Sequence, residues 1–303
     1  MSRFATSLFA AVLVASAIAC QASDPGWPPE QTDFDLVPVP ISTEIVVGSN
    51  RMLFNILDKQ NQSIAAPDRP VELRFFDFSA SKTQAASTMQ GTFMPTVEGR
   101  PGLYRAQVDL TKAGEWGVEA ISSESDGTKR TGRFVFDVRE QGTTPEIGDP
   151  AIASDTPTAS TPEEIAQIAT DDDPDPDFYK RSVADAIAAH EPFALVFATP
   201  AFCTSQVCGP TLDLVKSVAQ PFKGRMDFIN VEPYELESEG GNLHPVLDEN
   251  NLPVSVQATN EWGLPTEPYI FVVGSDGLVK AKFEGIASQE ELEAAFAEVA
   301  RPS

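Results

Sequence analysis

A single change of hydrophobic rhythm divides this sequence. Between residues 35 and 140 apolar side chains recur at every second position. After residue 178 they recur at helical spacing around short, continuously apolar runs. A chain with these two rhythms builds an all-β unit and a mixed α/β unit, each with its own core. Between them, residues 141–177 carry 10 Asp and Glu and no Lys or Arg, and read as an acidic Pro/Thr-rich linker. The run Asp171 to Asp177 holds Pro174 and Pro176 and has neither the turn glycine nor the bidentate Glu of a calcium loop, so solvation is its expected role.

The alternation in the first block is regular. Val71, Leu73 and Phe75 share one face, as do Tyr104, Ala106, Val108 and Leu110, and then Phe134, Phe136 and Val138. Such runs are half-buried antiparallel strands. Asp126-Gly127 predicts a hairpin between two of them. About seven short strands in this length predict a two-sheet sandwich. Trp116 lies in an alternating run and is expected in its core. The block resembles the immunoglobulin-like modules of bacterial envelope proteins. That resemblance implies a spacer or partner-binding role and no reaction.

The N-terminus reads as an export signal. Arg3 precedes a 12-residue apolar run, Leu8 to Ala19, which is too short to span a bilayer. Ala17-Ile18-Ala19-Cys20 resembles a bacterial lipobox. This implies a signal peptide at residues 1–19, a lipid anchor on Cys20 and an extracytoplasmic, membrane-attached protein; ordinary cleavage would give a soluble secreted one. Residues 20–34 are polar and Pro-rich and read as a tether. The net charge of −24, with no basic run, excludes phosphate-neutralising contact with nucleic acid or an anionic lipid surface. Only His190 and His244 are present, too few for a His-rich metal site. No cofactor is expected.

Residues 178–303 carry the chemistry. A helical pattern at Ser182 to His190 leads into the apolar strand Phe193 to Phe197. A cysteine-bearing segment and a helix from Thr211 to Ala219 follow, then a strand, Met226 to Val231. A long polar loop runs to a second apolar strand, Tyr269 to Val273, and an Asp276-Gly277 hairpin. Ser288-Gln289-Glu290-Glu291 is a capping box for a final helix.

The cysteine pair Cys203 and Cys208 lies between buried strand and helix, with Pro268 directly before the second apolar strand. In this order the block resembles an extracytoplasmic thioredoxin-family domain. The resemblance implies an α/β fold, thiol–disulfide exchange with a protein partner through Cys203 and Cys208, and a cis-proline beside the sulfurs. Glu267–Pro268 is the favoured cis bond and Pro265 the alternative. The spacing departs from the family's C-x2-C. Five residues apart in a continuous helix, two Cα atoms stand about 8–9 Å from each other. A disulfide needs less than about 7 Å, so Cys203 must leave the helix for a bridge to form. Gly209-Pro210 fits a helix start and favours Cys208 as the attacking thiolate; counting from the strand end favours Cys203. The family's buried acid is absent from Phe193 to Phe197; Glu267, beside the proline, is a candidate substitute, with plain surface placement the favoured alternative.

Other readings compete. The alternative to exchange is a structural disulfide in a non-catalytic envelope adaptor. Peroxidase chemistry would need different Pro200 spacing and a cation better placed than Arg225. Copper delivery would need C-x3-C and a His closer than His244.

Overall fold

The computed structural model describes Trp27 and residues 35–96, 100–124 and 127–302. The expected signal peptide and the expected lipidation site Cys20 lie outside the described residues. So does the expected tether, except for Trp27. That side chain is buried against Phe76 and Phe78, with ring centroids 5.1 Å away in both cases, and its Nε1 donates to the Lys82 carbonyl at 3.0 Å.

The alternating block forms seven strands: β1 (Leu36–Pro40), β2 (Gly48–Asp58), β3 (Val71–Asp77), β4 (Ser87–Met94), β5 (Leu103–Leu110), β6 (Gly114–Ser123) and β7 (Lys129–Val138). They do not make the expected immunoglobulin-like sandwich. They close into one barrel in the order β1-β2-β5-β4-β3-β6-β7. β1 pairs with β2 antiparallel and with β7 in parallel. Alternation is the same in a sandwich and a barrel, so periodicity does not separate them. Inward residues include Met52, Phe54, Leu73, Phe75, Tyr104, Val108 and Trp116, all buried. The Trp116 Nε1 donates to the Lys112 carbonyl at 3.0 Å, which lets the indole sit in the core with its one donor satisfied.

Closure depends on Gly132. Leu36 and Gly132 are register partners across the parallel seam, and a Cβ at residue 132 would lie 1.8 Å from the Leu36 carbonyl oxygen. That contact is with backbone and cannot be relieved by a rotamer change. Gly132→Ala is therefore expected to lower unfolding free energy by about 3 kcal/mol, at the upper end of overpacking costs. Urea denaturation of the variant measures it, and a change under about 0.5 kcal/mol would show that the seam yields freely.

The rest of the described chain contains α1 (Pro162–Ile165), α2 (Val183–Ala188), β8 (Phe193–Phe197), α3 (Cys208–Ala219), β9 (Asp227–Val231), β10 (Leu236–Glu239), β11 (Asn242–Pro245), α4 (Gln257–Glu261), β12 (Tyr269–Val273), β13 (Val279–Glu284) and α5 (Gln289–Val299). A four-stranded sheet runs β13-β12-β8-β9, with only β8 and β9 parallel. α3 and α5 pack one face through Leu212, Val215, Leu292 and Phe296. Val183, Ala258 and Trp262 cover the other.

The thioredoxin-like fold class is also corrected. Among the described residues the regular structure is mostly sheet, dominated by a closed seven-strand barrel, with five short helices of 4 to 12 residues. Between β9 and β12 the chain forms the β10–β11 hairpin and the one-turn α4. Pro233, Pro245, Pro253 and the pair Gly240-Gly241 rule out a long helix there.

The acidic segment 141–177 is packed, not free. Thr144, Ser154, Thr156, Ala159, Ile165 and Ala169 are buried. Lys216 holds Asp171 at 2.7 Å and Lys223 holds Asp175 at 2.6 Å. The capping box Thr161–Glu164 starts α1.

Barrel and sheet are joined by two carboxylates, Glu44 buried and Glu291 half-buried. Glu291, in the first turn of α5, accepts from Arg51 Nε at 2.6 Å and Nη2 at 2.9 Å, and also pairs with Arg105. Glu44, just before β2, accepts from Thr143 and Thr144 and pairs with Lys282 at 3.2 Å. Leu53, Met94 and Ile286 add an apolar contact, with Leu103 and Val207 against it.

Candidate functional site

Cys203 and Cys208 form a disulfide with Cα atoms 6.0 Å apart. The spacing demands that Cys203 leave the helix, and it does. β8 ends at Phe197, and Cys203 sits in a turn where its N–H donates to the Thr199 carbonyl at 3.1 Å. The Gln206 N–H returns to the Cys203 carbonyl at 3.1 Å, and Gln206 itself adopts a left-handed φ of 59°. That turn folds the chain back so that α3 begins at Cys208. No side chain caps this helix start. Its Cys208 N–H points at Cys203 Sγ, 3.3 Å away, and the Ser205 hydroxyl lies 3.2 Å from the same sulfur. The helix terminus thus directs its positive end at Cys203. Cys203 is 8% exposed and Cys208 is 0% exposed, so of the two residues Cys203 is the one nearer solvent.

The cis peptide bond is Glu267–Pro268, and it stands at the head of β12; the bond before Pro265 is trans. A Glu267 carboxylate oxygen lies within 4.8 Å of both sulfurs. Its Oε2 accepts from the Tyr234 hydroxyl at 2.8 Å. Burial pushes the Glu267 carboxyl above the usual carboxylate range, and the Tyr234 hydrogen bond only partly offsets this. Burial and the Glu267 carboxylate likewise raise the Tyr234 phenol. Of the residues named from sequence, the fold brings Cys203, Cys208 and Glu267 together, with Pro268 next to Glu267 in the chain. The sequence does not single out Tyr234, whose place in a polar loop gives no periodic signal. Ser205 is equally silent, being one of four residues between the cysteines. His244 is exposed on the β10–β11 hairpin and His190 is exposed at the end of α2; neither joins the sulfur cluster.

A cleft of about 180 Å³ opens beside this cluster, between the barrel and the sheet. Ile41, Leu53 and Leu103 line it from the barrel, and Ser205, Val207 and Glu267 from the other side. The barrel therefore forms one wall of an approach to the cysteine turn.

No protein-family profile matches this sequence, and no curated protein matches it. Among solved structures, it is similar to a copper-bound variant of FetP from uropathogenic Escherichia coli strain F11. The identity is 12%, over 36% of this chain and 99% of that one, with a TM-score of 0.21. FetP as isolated matches at 13% identity over 36% and 98%, with the same score. A Bacteroides vulgatus protein described as a glycoside hydrolase matches at 12% identity over 70% of this chain and 34% of its own length, again at 0.21. None of the three is a thioredoxin-family protein, and likenesses this slight carry no argument about fold or chemistry.

Proposed function

We propose that this protein is an extracytoplasmic thiol–disulfide exchange protein, held to a membrane through lipidated Cys20, with Cys203 as attacking sulfur and Cys208 as resolving sulfur. The observation that carries the reading is the Cys208 N–H aimed at Cys203 Sγ from an uncapped helix start. A thiolate at Cys203 gains that donor and the Ser205 hydroxyl, and hydrogen bonds to the charged form favour it. Reduced Cys203 attacks a partner disulfide, the Cys203–partner bond forms, and the first partner sulfur leaves as a thiolate that takes up a proton. Cys208 then attacks Cys203, closes the disulfide and expels the second partner sulfur. Two electrons and two protons pass from this protein to the partner, and the sequence reverses for a reduced partner. Pro268 and the cleft give an extended partner segment a place beside the sulfurs.

A second reading has one observation in its favour. Both cysteines are nearly buried, which suits a structural disulfide in a non-catalytic adaptor. The reduction potential separates the two. Exchange chemistry predicts a value above about −270 mV against a glutathione or dithiol buffer, within the range of exchange proteins. A value below about −300 mV, where structural disulfides fall, would leave the adaptor reading.

A further inference from the structure

We infer that, once its disulfide is opened, this site binds a zinc-type divalent cation through Cys203 Sγ, Cys208 Sγ and a Glu267 carboxylate oxygen. These three atoms lie within 4.8 Å of one another, and the residues that carry them are buried or half-buried. A triangle of that size surrounds a point about 2.8 Å or less from each corner. Zinc bonds of about 2.3 Å to sulfur and about 2.0–2.2 Å to oxygen set two thiolates about 3.8 Å apart, so the sulfurs part once their bond is cut while the Glu267 oxygen stays in reach. Two thiolates with one carboxylate suit a borderline-soft d10 ion and leave its fourth position open, as in a site that exchanges ligands. Tyr234 acts as a positioning residue, since its hydroxyl fixes one Glu267 oxygen at 2.8 Å and leaves the carboxylate an oxygen to give. Without a cation, the dithiolate form would set three negative charges side by side in a partly dry site, on a chain of net charge −24.

The inference shares one premise with the exchange reading, that the pair is reducible. Opening takes two electrons and two protons from a dithiol reductant, which leaves as its own disulfide. Metal binding then returns both protons to solvent. Redox state thus decides whether the pair is a disulfide or a metal ligand set, and the Glu267 carboxylate is what distinguishes it from a bare dithiol.

The full chain is reduced with excess dithiol, freed of it without oxygen, and checked by alkylation and mass mapping at Cys203 and Cys208. Cobalt is then titrated in, read by thiolate-to-metal charge transfer, and displaced by zinc. Saturation at one cobalt per chain is expected. Cys203→Ser and Cys208→Ser each weaken it at least about 100-fold, and Glu267→Gln at least about tenfold. An opened pair with no charge-transfer band overturns the metal site and leaves exchange standing. A pair that stays closed in dithiol overturns both readings. Unchanged affinity in a folded Glu267→Gln protein removes the carboxylate from the site and overturns the ligand set. X-ray absorption of the zinc-loaded wild-type chain reads the same point without a variant: two sulfurs and oxygen are expected, and an oxygen-only shell overturns the inference.

Discussion

Cys208→Ser is expected to accumulate a mixed disulfide between Cys203 and a partner that brings a disulfide, whereas Cys203→Ser accumulates none, and each variant loses at least about 1,000-fold in exchange rate. The asymmetry follows from exposure and field together. Cys203 has the small opening to solvent, and Cys208 has none. The helix start that favours Cys208 from sequence does lie at Cys208, but its N–H donates to the other sulfur. The helix start therefore faces the sulfur of the residue outside it, and the residue on it is fully buried. Losing the nucleophile removes the covalent step altogether, so the expected loss is of the size seen when a catalytic residue is removed outright. Both variants should fold. The disulfide closes a short loop, with a sequence separation of 5, which is worth about 2 kcal/mol on chain-entropy grounds. Thiol trapping of each variant, followed by mass mapping, reads the result. Equal trapping by both, or trapping by Cys203→Ser alone, would reverse the assigned roles.

The legible parts of this protein are those set by local chemistry. Period-two runs mark strands at 71–77, 103–110 and 129–138 because each strand has one face in the barrel core. The capping box at Ser288 and Glu291 marks the start of α5, and the Ser288 hydroxyl does accept from the Glu291 N–H. Turn geometry puts Cys203 and Cys208 in bridging range because the alternative, a continuous helix, could not bridge them. What stays hidden depends on residues distant in sequence. Barrel closure rests on Leu36 meeting Gly132, a contact that alternation does not encode. The resemblance to a thioredoxin-family domain rests on the cysteine pair, the proline and element order, and these fix neither helix length nor what fills a crossover. The acidic segment reads as solvated because its partners, Lys216 and Lys223, lie 45 and 48 residues downstream of Asp171 and Asp175. Tyr234 meets Glu267 across 33 positions, and Glu291 meets Arg51 across 240.

Acid should part the barrel from the sheet, and Glu291→Gln should imitate acid at neutral pH. Burial alone would push the Glu291 carboxyl up. The Arg51 hydrogen bonds and charge, the Ser288 N–H and Arg105 outweigh it and hold it at about 2. For Glu44, burial is again outweighed, by the Thr144 hydroxyl, Lys282 and the Thr143 and Thr144 amides, and the result is also about 2. Both carboxyls thus lie below their unfolded value of 4.5. A depressed carboxylate stabilises the fold fully above the unfolded value and loses that contribution as pH falls toward the folded one. Each is worth about 3 kcal/mol at neutral pH, of which about 2 is gone by about pH 3. Asp227, Glu232 and Glu267 run the other way, because burial raises them and protonation relieves their cost. The wild-type loss is therefore smaller than the two bridging carboxylates alone would give, and a variant is needed to isolate them. Glu291→Gln keeps the capping hydrogen bond to the Ser288 N–H but leaves Arg51 and Arg105 facing a neutral amide at the interface. Stranding those cations costs about 3 kcal/mol at pH 7. The gap between wild type and variant should then close as pH falls from about 5 to about 2, since acid neutralises the same group in the wild type. Urea unfolding of both proteins across that range is the measurement. A gap that stays constant with pH would mean that Glu291 acts through packing, not charge, and that the arginines hold the barrel to the sheet without it.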